Sequence, residues 1–442
     1  MKNNQYFLSK NKRYHYFINT IVVSSLLLAL TGCHNLINES KNGVSVIAKI
    51  EDKDKFIAAD DSTSTAEGIS QVVDANNQFA IELYQRLSKN PKQSDDNVFF
   101  SPYSLSTAMA MLYNAAKGET KSQIQKTFHY PPSATLNPNS AALYNQFNKP
   151  NSNYELSTVN DLWMRQDLSP NQTYLDTVRR YFGGQVTNLD FKNSAEPSRQ
   201  TINKTIAKHT KQMIPELLVK GSIEADTAAV LTNAVYFKSE WATPLSLRGG
   251  TQPFYNADGT TTDMNFMYSI KHFDYMEDEQ VQVVALPYKG NDLSMLIILP
   301  KSEEAATMQK LIANLSSAQI SKWTEQLENK EIFLVMPKFK LEESYKMESL
   351  LTEMGMPIAF DSRADFSLFN EKLPLTVDSI IHKAVVEVDE KGTVAAAATS
   401  VVPVVVSASY NVELIADHPF MFMIKDNKTD AILFLGLVNN LS

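Results

Sequence analysis

The chain has 442 residues, of which 43% are hydrophobic and 20% are charged, so it can bury a large core and does not have the composition of a disordered protein. Its formal charge is −8 and no basic stripe is present, which argues against nucleic acid as a partner. Cys33 is the one cysteine, so neither an intrachain disulfide nor a four-thiolate zinc site can form.

Residues 1–32 have the layout of a secretory signal peptide. A basic stretch precedes an apolar run, residues 17–30, that is short for a transmembrane helix. The run ends in Leu30-Thr31-Gly32-Cys33, which resembles a bacterial lipobox, where the cysteine becomes the lipidated N-terminus. The alternative is a plain signal peptide with an incidental cysteine. We favour the lipobox, because the cysteine lies where a lipobox requires it, and we expect lipid attachment at Cys33.

The segment that follows is polar and predicts a linker. We interpret residues 33–74 as a lipidated N-terminus and tether between a membrane and a folded body that covers residues 75–442. The expected location of this exported protein is the cell envelope, at the outer membrane or on the extracellular surface.

The body begins with two predicted helices. Phe79, Leu83 and Leu87 recur at helical spacing and form one apolar stripe. A second helix follows Ser101-Pro102, with Ser101 as its cap, and its small and apolar residues predict that it is buried on most sides.

Later segments mix strands and helices without strict alternation. The pattern predicts strands over residues 230–237, 293–300 and 331–336, a helix over 305–328, and a final strand pair over 420–424 and 431–438. This order favours an α+β fold over a doubly wound sheet.

Enzyme motifs are missing from the sequence. It has no GxSxG elbow, phosphate-binding loop, dinucleotide fingerprint or HExxH helix, and its seven histidines show no i, i+4 pair for a metal. We therefore expect no catalytic activity, no metal and no cofactor. His382 follows two isoleucines; a core histidine is favoured there over a catalytic base.

Residues 392–411 form an uncharged stretch that fits no ordinary element. Five Ser/Thr residues and Pro403 argue against a transmembrane helix, its length argues against one buried strand, and its apolar character argues against a disordered linker. Its first part, residues 393–402, has side chains small enough to enter a packed sheet.

The run from His382 to Ala398, HKAVVEVDEKGTVAAAA, resembles the hinge of serpins, the suicide inhibitors of serine proteases. Other serpin-like blocks occur in the expected order between about residues 75 and 440: NVFFSPYS from Asn97, LTNAVYFKSEW from Leu231, LPYKG from Leu286, MPKFKLE from Met336, DHPFMF from Asp417 and FLG from Phe434.

The resemblance implies an α+β, serpin-like single domain with three β-sheets, about eight or nine helices, and an exposed reactive-centre loop over about residues 390–411. A protease that cleaves this loop would be trapped as the upstream segment inserts into the main sheet.

The implied hinge residues are Glu390, Gly392, Thr393, Ala395, Ala396, Ala397 and Ala398. The implied shutter, where the central strands part, is Ser101, Ser104, Asn233 and His382. Trp241 would lie near the top of the opening, the breach, and Lys338 would pair with Glu390 on the solvent side of the hinge.

Physical reasoning supports the hinge assignment. With period-two alternation, Thr393, Ala395 and Ala397 would face the core on insertion, and none of them is charged or bulky.

Family spacing places the cleaved bond at Val406-Ser407, with a shift of one bond left open. A β-branched residue there favours an elastase-like protease as the covalent partner of a monomeric inhibitor. The alternatives are a non-inhibitory serpin-fold binding protein and an envelope-anchored hydrolase.

Overall fold

The computed structural model describes residues 56–89, 97–370, 375–393 and 412–442. The helices within these ranges are α1 Ala66–Leu87, α2 Pro102–Ala115, α3 Gly118–Thr127, α4 Ser133–Asn148, α5 Gln172–Phe182, α6 Phe191–His209, α7 Ala305–Ala313, α8 Ser317–Glu325, α9 Glu348–Glu353 and a 3₁₀ turn, Pro357–Phe360. The strands are β1 Val98–Phe100, β2 Tyr154–Arg165, β3 Gln185–Leu189, β4 Ala229–Glu240, β5 Ser246–Tyr255, β6 Thr261–Glu277, β7 Val281–Pro287, β8 Leu293–Pro300, β9 Glu328–Pro337, β10 Phe339–Lys346, β11 Ser379–Asp389, β12 Gly392–Thr393, β13 Glu413–Ile415, β14 Phe420–Asp426 and β15 Ile432–Val438.

The strands form two hydrogen-bonded sheets. The six-stranded main sheet has the order β10-β11-β12-β4-β2-β3. The second sheet has nine strands, in the order β1-β15-β14-β8-β7-β6-β9-β13, with β5 paired to β6. The predicted α+β class is confirmed. The prediction counted three sheets; here the 17-residue strand β6 pairs with β5, β7 and β9, and so joins strands that would otherwise form two separate sheets.

Helix α2 forms as its sequence predicts. The Ser101 side chain accepts a hydrogen bond from the Ser104 backbone N–H, and Pro102 occupies the first turn, where its missing N–H costs nothing. All but one of its residues are buried, because the helix packs against both α5 and strands of the two sheets.

Two predicted boundaries are wrong. The polar tether was expected to reach residue 74, but α1 begins at Ala66, where Thr65 caps it by accepting from Gly68 N–H. Polar residues fit the exposed face of this helix, which buries Val72, Val73 and Phe79 on its other face. The single helix expected over 305–328 is two helices, because Ser316 caps a new helix by accepting from Gln319 N–H.

The largest buried cluster lies between the two sheets and under helices α1 and α2. It includes Phe79, Phe99 and Phe434, which are at most 1% exposed. None of the helices in the described ranges has the length and apolar character needed to cross a membrane.

Candidate functional site

The central strands of the main sheet are paired along only part of their length. Strands β4 and β11 run parallel and pair directly from Val230 to Val235 on β4 and from Ser379 to Ala384 on β11. Further along, the short strand β12 lies between them and pairs antiparallel with both. Residues 236–238 and 385–387 therefore face each other without being paired to each other. The sheet is open at one end and closed at the other.

Strand β12 places the first hinge residues inside this opening. Thr393 lies opposite Ser239 on β4 and Val388 on β11, and it is 0% exposed. Its hydroxyl is 2.7 Å from the hydroxyl of Tyr288. The Thr393 side chain is thus already buried between the two strands. Ala395, Ala396, Ala397, Ala398, the bond Val406-Ser407 and Cys33 lie outside the described residues, so their assignments stay predictions.

A tight turn at Asp389 returns the chain from β11 into β12. The Asp389 carboxylate accepts hydrogen bonds from the backbone N–H groups of Lys391 (2.8 Å) and Gly392 (3.1 Å). Gly392 has φ +156°, and a Cβ at this position would lie 2.1 Å from the carbonyl oxygen of Ser239. The backbone of β12 therefore approaches β4 more closely than any residue with a side chain would allow.

An aromatic stack forms the wall of the opening. The rings of Trp241 and Tyr288 are stacked with centroids 4.6 Å apart, and Phe237 meets Tyr288 edge-on at 5.2 Å. The indole N–H of Trp241 donates to the carbonyl of Asp389 at 2.9 Å. Trp241 thus fixes the end of β11 next to β12.

Lys338 and Glu390 form the predicted ion pair, with Nζ and Oε2 2.8 Å apart. The expectation that this pair faces solvent is wrong for Glu390, which is 7% exposed because the turn folds it back against the sheet. Burial alone would raise the pKa of Glu390, but the hydrogen bond and charge of Lys338 outweigh it and hold the pKa below its ordinary value. The carboxylate stays charged, so the pair fixes the base of the hinge.

The four predicted shutter residues lie together where the strands are still paired. The Asn233 amide donates to the carbonyl (2.9 Å) and hydroxyl (2.7 Å) oxygens of Ser104, and its oxygen accepts from His382 Nδ1. The backbone N–H of Ser101 donates to His382 Nε2 at 3.1 Å. All four residues are 0% exposed. This network joins β4, β11 and the start of α2 at the point below which insertion would have to separate the strands.

The hydrogen bonds of His382 require a neutral ring. Because Nε2 accepts from Ser101, only Nδ1 can carry a proton, and that proton is donated to Asn233. Burial lowers the pKa of His382 to about 3, since the charged ring would lose its hydration. The ring is therefore a structural hydrogen-bonding group, as the sequence suggested, and not a base facing a substrate.

A family model described as Serpin (serine protease inhibitor) matches residues 74–441. The chain belongs to the serpin family.

Its serpin relatives cover most of its length. An uncharacterized serpin-like protein of Methanosarcina acetivorans is 36% identical over 429 residues, which are 94% of this chain and 96% of that protein. The human leukocyte elastase inhibitor is 35% identical over 376 residues, or 83% of this chain and 99% of that protein. Among solved structures, human thyroxine-binding globulin and uncleaved ovalbumin each superpose with a TM-score of 0.76, cover 84% of this chain and 99% and 100% of their own, and are 29% and 27% identical.

Three further residues of this serpin site were not assigned by sequence reasoning. Asn160 on β2 lies directly opposite Asn233 and accepts a hydrogen bond from its amide. Tyr288 and Asp389 hold Thr393 and the hinge turn. The signal for Asp389 was present, because Asp three residues before Gly is a turn pattern. Asn160 and Tyr288 could be found only from strand register and packing.

No group of His, Cys, Asp and Glu side chains in the described parts of this serpin is arranged to hold a metal ion. The site is built from strand edges, small residues and a buried polar network.

We expect the stability of this serpin to fall with decreasing pH through His382. Above pH about 6.5 the ring is neutral in both the folded and unfolded states, and its contribution is complete. Between that pH and the folded-state pKa of about 3, the unfolded chain binds a proton that the folded chain excludes. The free energy of unfolding should therefore drop by about 1.4 kcal/mol per pH unit from this residue alone.

Urea unfolding at pH 7.5 and pH 5 measures this effect when wild type is compared with His382→Gln. The variant should be less stable at pH 7.5 and should show a shallower pH dependence. An identical pH dependence in both proteins would contradict the neutral assignment.

Proposed function

We propose that this serpin is a suicide inhibitor of serine proteases, which acts when its exposed loop is cleaved and inserted into the main sheet. One observation carries this proposal: β12 already occupies the mouth of the opening between β4 and β11, with Thr393 buried. A strand that extends from β12 would gain hydrogen bonds to both neighbours and would bury apolar surface. We propose no catalytic activity for the chain.

The hinge sequence supports insertion over a passive role. The next core-facing side chains after Thr393 are Ala395 and Ala397, which can enter the sheet without removing a charge from water.

The proposed target is an elastase-like protease. The segment Val404-Val405-Val406 precedes the predicted bond Val406-Ser407, and a small aliphatic residue suits a shallow apolar specificity pocket. Lys and Arg are absent from residues 392–411, which argues against trypsin-like targets. The similarity to the human leukocyte elastase inhibitor supports the same direction. The inhibitor is expected to act as a monomer.

Incubation with elastase, trypsin and chymotrypsin, followed by denaturing electrophoresis, tests this proposal. We expect a covalent complex with elastase that survives denaturation. We also expect release of a C-terminal fragment whose measured mass shows that its first residue is Ser407. A fragment that starts at Asn411, or a complex with trypsin and none with elastase, would refute the target assignment.

A non-inhibitory binding protein is the alternative, and the similarity to thyroxine-binding globulin is the observation that favours it. The same experiment separates the two functions. A binding protein would be cut in its loop without retaining any protease, and its thermal stability would not rise after cleavage.

We also propose that the inhibitor is exported and anchored in the cell envelope through a lipid on Cys33, at the outer membrane or the extracellular surface. The motif Leu30-Thr31-Gly32-Cys33 supports this. Cys33→Ser should move the protein from the membrane fraction to the soluble fraction and abolish labelling by a fatty acid, while inhibition persists. Wild-type protein without acyl label would contradict the anchor.

A further inference from the structure

Residues 56–65, which we call the N-terminal clasp, are fastened to helix α4. The side-chain amide of Asn145 donates to the carbonyl of Ala59 (2.9 Å) and accepts from its backbone N–H (2.8 Å). The same amide donates to the Asp61 carboxylate at 3.0 Å. Asn145 therefore binds the clasp backbone as a strand neighbour would, with two hydrogen bonds to one residue.

The clasp is also fastened to helix α5. The Asp60 backbone N–H donates to the Arg180 carbonyl at 2.7 Å, and the Asp60 carboxylate accepts from Arg180 Nε (2.8 Å) and Nη2 (2.6 Å). Hydrogen bonds from Ser62 and Arg180 lower the pKa of Asp60 to about 2, so this pair stays charged at neutral pH. The two-pronged contact fixes the orientation of the arginine as well as its position.

An aromatic contact closes the same junction. Phe56 stacks on Tyr144 of α4 with centroids 5.9 Å apart. Tyr144 in turn covers Gly183, the left-handed residue that ends α5, so closely that a Cβ there would lie 2.3 Å from the ring. The clasp, α4 and the C-terminal end of α5 thus form one packed unit.

The far end of the clasp is held by α4 and continues into α1. Thr65 N–H donates to the side chain of Asn139 at 2.9 Å, and α1 begins at the next residue. Further along α1, Asn76 donates to the carbonyl of Ile432 on β15 at 3.0 Å. The clasp consequently links α5, at one end, to a helix that is hydrogen-bonded to the second sheet.

This link joins α5 to α1, two helices whose separation we expect to change when a strand is inserted into the main sheet. An added strand would widen the main sheet by about 4.8 Å between β11 and β4. Strand β3 lies at the outer edge on the β4 side, and α5 is joined to it by only Gly183 and Gly184. A shift of β3 therefore pulls on α5, while the clasp holds α5 to α1.

We propose that the N-terminal clasp retards widening of the main sheet and so helps to keep the loop uninserted until it is cleaved. This proposal rests on the loop insertion described under the proposed function. It assigns a conformational role to residues that precede the first helix, next to the part of the chain that the lipid is proposed to anchor.

Asp60→Ala and Asn145→Ala test the clasp, and Arg179→Ala, an exposed arginine on the same helix, is the matched control. Purified full-length proteins are held at raised temperature, and conversion to a urea-resistant inserted form is followed on native gels. The melting temperature of each protein is also measured after its loop has been cut by a protease that is not trapped. Loss of one or two net hydrogen bonds should accelerate conversion about fivefold in each clasp variant and leave Arg179→Ala at the wild-type rate.

The cleaved forms of all four proteins should melt within a few degrees of one another. In these forms the main sheet has already widened, so the clasp no longer opposes its widening. Conversion at the wild-type rate in both clasp variants would overturn the proposal. An equal loss of stability in the native and cleaved forms would also overturn it, since the clasp would then be ordinary packing. If cleavage of wild type gives no rise in melting temperature, insertion itself fails, and the proposed function falls together with the clasp.

Discussion

Thr393→Arg should convert the inhibitor into a substrate. Thr393 is fully buried between β4 and β11 and is hydrogen-bonded to Tyr288, so an arginine there would lose its hydration without gaining a partner of opposite charge. A barrier raised by about 2 kcal/mol would slow insertion about 30-fold, and the protease would be released before it is trapped. The stoichiometry of inhibition, measured by titrating elastase, should rise accordingly while cleavage of the loop continues.

Val394→Arg is the control for this prediction. The exposed side chains of Lys238 and Glu387 lie one position along each strand from the partners of Thr393, on the opposite face. An arginine at residue 394 would join them in solvent and should leave the stoichiometry of inhibition close to that of wild type. If both arginine variants trap protease normally, or both fail equally, the alternation argument is incorrect.

Asn233→Ala should destabilise the native state by about 2–4 kcal/mol. The substitution removes the acceptor of the His382 Nδ1–H and the amide that donates to the side-chain oxygen of Asn160, both in a buried site, and each unsatisfied group costs about 1–3 kcal/mol. The same loss removes the bonds that join β4 to α2 and β11, so spontaneous conversion to inserted or aggregated forms should accelerate as well. Urea unfolding followed by tryptophan fluorescence measures the first effect.

Asn314→Ala, at an exposed position after α7, provides the comparison and should change stability by no more than about 0.5 kcal/mol. A loss in Asn233→Ala below about 1 kcal/mol would mean that the shutter network is replaced by other contacts and does not hold the strands.

The sequence allowed the main features of the site to be predicted, but by two different routes. The cap at Ser101 and the inward orientation of Thr393 follow from local rules of helix capping and strand alternation. The grouping of Ser104, Asn233 and His382 came from resemblance to a family, because their positions span much of the chain and no local pattern connects them. The structure brings Ser104, Asn233 and His382 into hydrogen-bond contact.

What could not be predicted depends on long-range packing. Asn160 reaches the shutter because β2 pairs with β4 in one particular register, and its own neighbours in sequence do not reveal that register. Residues 60–65 are all polar, which predicts a tether, but a polar composition is equally suited to hydrogen bonds with Asn145 and Arg180. Composition indicates whether a segment can be buried, but it does not indicate which residues the segment will contact.

Because β4 and β11 are only partly paired, the first residues of an inserting strand would enter a part of the sheet where these two strands are already separated. If the register of β12 continues, residues 394–396 would come opposite residues 238–236 of β4 and would break no existing strand pair. From residue 397 onward, each step would exchange one parallel pairing for two antiparallel ones. Thr399 would reach the level of Asn233 and His382, so its hydroxyl would arrive where their hydrogen bond has to part. The energy barrier to insertion is therefore concentrated where the strand passes Asn233 and His382. Once the strand has passed Asn233, few existing contacts oppose its further insertion.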